Sequence, residues 1–326
     1  EFECRFANAI GASYALATTS GSVALYMALK AVGAGPGDEV IVPNRTWVAT
    51  GHAVLLTGAS VRLVDVEPDR PVINAAKVEA AINCNTKALV PVHLNGRACD
   101  LEKLGDIARA NNIPLIEDAC QAMFSLYSGK YLGTFGSVGC FSLGVTKLIT
   151  TAQGGIVVTD DEQLFESMRL YRNHGVVDNF TDAWGGFGFN FKYTDIQAAA
   201  GITQLEKVEE NCSHLRKIYD AYHCGLEGLN SVQLIPVNIE AGELPLYIEV
   251  LSPNRRALIE HLEASKIQCR PLPPSLHTSK YFNNSGEYSN SKIFADQAIY
   301  LPCGPRQPLE NVERVTSAIR HFAEVE

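Results

Sequence analysis

The chain has 326 residues, with 27 Lys plus Arg against 36 Asp plus Glu, and a formal net charge of −9. Hydrophobic residues make up 46% and charged residues 19%, a globular composition that excludes disorder as the main state. The acidic balance has no concentrated basic stripe and no apolar run of about 18 residues, so neither a nucleic-acid partner nor a membrane span is expected.

The chain opens inside a helical pattern, with Phe2, Phe6 and Ile10 on one face, which suggests that a lead-in segment precedes it. Residues 14–17 read as a strand. Ser20-Gly21-Ser22 then leads into an apolar helix over 23–29, stopped by the Gly33-Ala34-Gly35-Pro36-Gly37 turn. Strands over 40–43, 61–66, 88–92 and 114–118 alternate with helices over 50–56, 75–82 and 101–111. This alternation, with strands that are apolar on both faces, predicts an α/β fold around a mainly parallel sheet flanked by helices.

Two further strands near 140–142 and 155–159 precede a helix over 162–171. Residues 179–191, rich in Gly and aromatics, read as an irregular loop. A long amphipathic stretch over 195–222 reads as helix broken near Asn211. The length suits about two domains. The division is expected in the region 212–230, giving a large domain over 1–215 and a smaller α+β domain over 216–326. The latter has a strand at 247–251 and helices over 255–265 and 309–323.

The nine cysteines are odd in number and show no C-x-x-C spacing. They read as small buried hydrophobes in a reducing compartment, and with no signal peptide at the start a cytoplasmic location is expected. No metal site is implied.

Five local features carry possible chemistry. Ser20-Gly21-Ser22 lies where a strand gives way to a helix, and unpaired N–H groups there suit a phosphate, although an ordinary Ser cap has the same sequence. It matches neither G-x-G-x-x-G nor G-x-x-x-x-G-K. Trp47 follows the second strand, at the sheet end where ligands bind, and is placed either to stack on a planar ligand or to pack in the core. Asp118 ends an apolar strand, where a carboxylate either caps the next helix or meets a cation.

Lys147 is the only Asp, Glu, Lys, Arg or His between Tyr131 and Asp160. Such a lysine is either a snorkelling edge residue or a desolvated, nucleophilic amine suited to Schiff-base chemistry. Asn190 lies in a loop before Thr194 or Asp195, which caps the long helix, and the loop could reach a neighbouring chain.

In order along the chain stand Ser-Gly-Ser-x-Ala-Leu, Val-Ile-Val-Pro-Asn-x-Thr-Trp-Val-Ala-Thr, Pro-Val-His-Leu-x-Gly, Ile-Glu-Asp-Ala-Cys-Gln-Ala and Phe-Ser-x(4)-Lys. Gly-Gly-x-Val-Val-Thr-Asp, Arg-Asn-His-Gly and Gly-Phe-Asn-Phe-x-x-Thr-Asp-Ile-Gln-Ala-Ala follow. Together these resemble the DegT/DnrJ/EryC1/StrS family of pyridoxal-phosphate-dependent sugar aminotransferases, over nearly the whole chain. The resemblance implies the fold type I (aspartate aminotransferase) architecture with a small C-terminal domain.

It also implies roles. Lys147 would form the Schiff base with pyridoxal 5'-phosphate, and Asp118 would face the pyridine nitrogen. Gln121 would lie near the ring hydroxyl and Trp47 would stack on the ring. Gly21, Ser22 and Ser142 would hold the phosphate, with Asn190 reaching the phosphate of the other subunit in a homodimer. The implied reaction is ping-pong transamination: L-glutamate leaves pyridoxamine 5'-phosphate, and a keto sugar, usually a nucleotide-linked 4-keto- or 3-keto-6-deoxyhexose, takes the amine. His174 and His277 stand where a substrate contact is plausible, although a solvated surface histidine is equally consistent with each. A dehydratase branch of the family carries His in place of the lysine, and the intact Lys147 disfavours it. Two alternatives share the fold: an aminotransferase acting on a keto-cyclitol, and a non-catalytic cofactor-binding regulator.

Overall fold

The structure, a computed structural model, describes residues 1–177, 184–282 and 286–325. Its helices are α1 (Phe2–Ile10), α2 (Gly21–Ala31), α3 (Ala49–Thr57), α4 (Ala75–Ala81), α5 (Leu101–Ala110), α6 (Glu162–Arg172), α7 (Asp195–Leu205), α8 (Val208–Leu226), α9 (Arg255–Ala264), α10 (Ser289–Gln297) and α11 (Leu309–Val325). The strands are β1 (Tyr14–Thr18), β2 (Glu39–Pro43), β3 (Ser60–Val64), β4 (Thr86–Leu89), β5 (Ile116–Asp118), the short hairpin β6 (Leu126–Tyr127) and β7 (Lys130–Tyr131), and β8 (Val138–Ser142) and β9 (Gly155–Thr159). The C-terminal part adds β10 (Gln233–Leu234), β11 (Ile248–Leu251), β12 (Arg270–Pro271) and β13 (Ala298–Leu301).

A sheet of order β3-β2-β4 and one of order β1-β9-β8-β5 lie side by side. Parallel bridges from Leu89 to Leu115 and from Val92 to Asp118 join them. All pairings are parallel except those of β9, which runs antiparallel to both β1 and β8. Alternation along the strands feeds two cores. Ile41, Ile156 and Val158 face a layer holding Phe6, Leu104 and Leu215. Val40, Val42 and Val157 face a layer holding Leu25, Val54 and Met168. The expected α/β architecture, with helices on both faces of a mainly parallel sheet, is the one observed.

Local signals explain several boundaries. Ser20 Oγ accepts from Val23 N–H at 3.2 Å and so starts α2. Thr194 and Gln197 form a reciprocal capping box at α7. The expected break near Asn211 is corrected: α7 ends at Leu205 and α8 starts at Val208. Asn211 is buried inside α8 and donates through Nδ2 to Leu148 O at 3.3 Å, so its polarity marks a tertiary tie and no helix end.

The cysteine reading also needs amending. All nine thiols are free, but Cys99, Cys140 and Cys212 are the buried ones, and Cys4, Cys84 and Cys224 are exposed. No helix among the described residues is long and apolar enough to cross a membrane.

The C-terminal sheet, of order β10-β11-β13-β12, has its own core of Val250, Leu258, Ile299 and Ile319. Along α8, Cys212 and Leu215 pack under the large sheet, whereas Ile218, Tyr219 and Tyr222 pack in the C-terminal core. We propose that the domain division falls at this change of core, between residues 215 and 216.

The two parts are riveted by Arg97, which is fully buried. It donates to Glu249 Oε2 at 2.5 Å, to Pro236 O at 2.8 Å and to Ile235 O at 3.1 Å. Removing one partner of such a pair strands the other charge in the interior. Arg97→Met should therefore destabilise the chain by about 3–5 kcal/mol, read from denaturant unfolding. The double change Arg97→Met with Glu249→Leu should recover most of that loss; a single variant as stable as the parent would contradict the assignment.

Candidate active site

β1, β5 and β8 end at the same edge of the sheet. Thr18, Gly155 and Ser142 stand in one register across β1, β9 and β8. Asp118 closes β5, the next strand over. The loop after β8 turns at once, with Lys147 N–H donating to Gly144 O at 3.0 Å. Its lysine thereby returns to the strand ends: Cys120, Gln121, Ser142 and Lys147 line one small cleft, walled on the other side by Leu215, Leu244 and Leu246.

Asp118 is 4% exposed. Its Oδ2 accepts from Thr50 Oγ1 at 2.7 Å and its Oδ1 from Cys120 N–H at 3.2 Å. No cation pairs with it among the described residues, and no helix follows it, so the helix-cap reading falls away. Thr50 also lies 2.9 Å from Thr46 Oγ1 and 3.2 Å from Trp47 O. One hydroxyl thus ties the carboxylate to the tryptophan loop. Burial, followed by the charges of Asp118 and Cys140, pushes the Cys120 thiol well up, while Lys147 pulls it down. Cys120 thus stands between the two: its N–H meets Asp118 and it shares the cleft with Lys147.

The N-terminus of α2 closes on the same place. A Cβ added at Gly21 would stand 2.9 Å from Cys120 Sγ and 3.0 Å from Ser142 Cβ. Ser22 is exposed beside it. Gln121 is held by its Oε1, which accepts from Asn95 N–H at 3.1 Å. Trp47 is 56% exposed, which excludes the core-packing reading.

Other candidates lie outside the cleft lining. Asn190 is exposed and bridges Asn173, and His174 is exposed next to that bridge. His277 is half-buried. Its backbone N–H donates to Asn44 Oδ1 at 2.9 Å, and its ring stacks on Tyr288 at 4.9 Å. Burial, reinforced by Arg45 and Lys292 against Asp65, holds its imidazole below the usual value.

Behind Asp118, Glu117 is wholly buried in a shell of donors. Gly133, Phe135 and Gly136 give N–H groups at 2.8, 2.6 and 2.7 Å, and His93 Nε2 lies at 2.9 Å. Cys99 N–H donates to His93 Nδ1 at 3.2 Å, which leaves the ring proton on Nε2, facing Glu117.

Sequence reasoning missed Thr50, Asn95, Asn211 and Tyr247. Thr50 stands inside the quoted Trp-Val-Ala-Thr string, but nothing in a sequence says which carboxylate a hydroxyl will meet. The other three act across long sequence separations.

Comparison with known proteins shows the family. The profile of the DegT/DnrJ/EryC1/StrS aminotransferase family matches residues 1–320. The chain belongs to that family. The GDP-perosamine synthase of Caulobacter vibrioides is 38% identical over 283 residues, spanning 85% of this chain and 76% of the relative. That of Escherichia coli O157:H7 is 34% identical over 328 residues, spanning 99% and 89%. The structure of S. venezuelae DesV in complex with a ketimine intermediate superposes with a TM-score of 0.95 at 33% identity, covering 99% of this chain and 88% of that one. This chain is a pyridoxal-phosphate-dependent sugar aminotransferase with the fold of that class.

The Glu117 shell gives this aminotransferase a defined acid response. Burial raises the carboxyl, but the hydrogen bond from His93 and the Gly136 and Gly133 N–H groups outweigh it and hold the group below its ordinary 4.5. With the folded value depressed, the stabilisation is complete above pH 4.5 and is lost as pH falls through the folded value. Glu117→Gln should lower the unfolding midpoint at pH 7, and the gap to the parent should close in acid. Stability curves that stay parallel across pH would contradict this.

Proposed function

We propose that this enzyme moves an amino group from L-glutamate to a nucleotide-linked keto sugar, a 4-keto- or 3-keto-6-deoxyhexose. The observation that carries the reading is the meeting of Asp118, buried with no cation beside it among the described residues, and Lys147 on either side of Cys120 at one edge of the sheet. The nucleotide-sugar acceptor is supported by the two GDP-perosamine synthases, at 38% and 34% identity.

The residues fit pyridoxal phosphate. A buried carboxylate without a counter-charge is costly, and a protonated ring nitrogen would relieve that cost. The space that a Gly21 Cβ would fill brings the positive end of α2 against Ser142, the arrangement a phosphate needs. When bound, the cofactor supplies a protonated ring that withdraws electrons from the carbon losing its proton.

The chain's own groups do the rest. Gly21 and Ser22 N–H and the Ser142 hydroxyl would hold the phosphate, and Trp47 would cover one ring face. Gln121, fixed at Oε1 by Asn95, would turn its amide nitrogen to the ring oxygen. Thr50, which donates to Asp118, would hold that carboxylate toward the ring nitrogen. Lys147 Nζ would bond the cofactor and, once displaced by the amino donor, carry the proton between the donor carbon and the cofactor. Leu215, Leu244 and Leu246 line the cleft beside that amine.

We assign the active enzyme as a homodimer, with Asn190 reaching the other subunit's cofactor. Trp184 and Ile196, near Asn190 in sequence, are 81% and 85% exposed, the kind of apolar surface that a partner covers. The nine free thiols suit a reducing, cytoplasmic compartment.

Lys147→Ala should leave the fold intact and abolish turnover with a keto-sugar acceptor, measured by amino-sugar release. Asp118→Asn should retain cofactor yet lose about a hundredfold or more in kcat. Parental turnover in either variant would refute the assignment of roles. A monomer by light scattering would refute the shared site.

A further inference from the structure

Tyr247 comes from the C-terminal part of the chain, yet it meets the loop that carries Lys147. Its hydroxyl lies 2.9 Å from Thr146 Oγ1 and 3.2 Å from Thr146 O, the residue immediately before the lysine. Lys147 Nζ stands over the Tyr247 ring, 5.9 Å from its centroid. Tyr300 packs edge-on against the same ring at 5.4 Å, so the ring has a fixed backing.

The backbone of Tyr247 is clamped as well. Asn95 Oδ1 accepts from Tyr247 N–H at 2.6 Å, and Asn95 Nδ2 donates to Tyr247 O at 3.0 Å. Asn95 is fully buried and adopts φ 62, a left-handed conformation that asparagine tolerates better than most residues. The same residue's N–H donates to Gln121 Oε1. Next to it, Gly96 has φ 85, and a Cβ there would fall 1.6 Å from Leu244 O, so the segment 95–96 is pressed directly onto the segment 244–247.

We propose that Tyr247, locked by Asn95, is a positioning residue for Lys147. It pins the 144–147 turn through Thr146 and fixes where the ammonium waits before it bonds the cofactor. Asn95 sets Gln121 through its backbone N–H and Tyr247 through its side-chain amide, so one buried residue holds the lysine and the ring contact in register with each other. The inference rests on the reading of Lys147 as the cofactor-bonding lysine. In the step concerned, the lysine loses a proton to solvent and its nitrogen attacks the aldehyde carbon. A C=N bond forms and one water leaves.

The test compares two cofactor forms on the protein stripped of cofactor. Pyridoxal phosphate bonds the lysine, and the rate is read from the rise of the Schiff-base absorbance. Pyridoxamine phosphate cannot bond it, and its affinity is read by fluorescence titration. In Tyr247→Phe, which loses only the hydroxyl, bonding should slow about five- to tenfold, while the pyridoxamine phosphate dissociation constant stays within about twofold. Tyr247→Leu, which also removes the ring, should slow it further.

A parental bonding rate in both variants would overturn the proposal. So would an equal loss for the two cofactor forms, since that would mean general damage to the site. Lys147→Ala run alongside keeps the two readings apart: an undiminished absorbance there would refute the role of Lys147 itself, whatever Tyr247 does.

Discussion

The arrangement of this enzyme depends on one uncompensated charge site. Asp118 ends β5 almost out of contact with water, held by the Thr50 hydroxyl and the Cys120 N–H and by no cation among the described residues. Neutral donors orient a carboxylate but do not neutralise it, and in a low-dielectric setting that difference is large. In the function proposed here, a cationic group of the ligand answers that charge. Everything that would meet such a ligand converges on the same edge: the start of α2, Ser142 at the end of β8, and Lys147 on the turn beyond it.

The surroundings of Asp118 are stiff for a reason visible one residue earlier. Glu117 gathers three backbone N–H groups from residues 133–136 together with His93, so the end of β5 is anchored from behind. Asn211 ties α8 to Leu148, next to the lysine, and Arg97 fastens the C-terminal sheet to the large one. Tyr247 reaches Thr146 across that fastening, so under the role proposed for Tyr247 the position of the lysine depends on both parts of the chain.

Much of this was legible in the sequence because it rests on local chemistry. The apolar runs at 40–43 and 155–159 declare strands buried on both faces. Ser20 declares a helix start. Lys147 stands out because its neighbours carry no charge. The ordered strings around Gly21, Trp47, Asp118 and Lys147 pointed to the family, and the family profile bears that out.

What was hidden is long-range. Asn211 looked like a helix breaker because a polar residue in an amphipathic stretch gives no sign of the carbonyl it will find, 63 positions away. Asn95 and Tyr247 lie 152 positions apart, and neither has a local pattern that announces the other. Trp47 could not be sorted between core and surface, since both environments use the same residue. Tertiary contact settled each of these where periodicity had nothing to say.

The most direct measurement is to reduce the cofactor-loaded enzyme with borohydride and sequence the labelled peptide by mass spectrometry. The account predicts a pyridoxyl group on Lys147 and on no other lysine, and its loss when L-glutamate is added before reduction. A label on a different lysine, or a bound cofactor that leaves Lys147 unmodified, would contradict it.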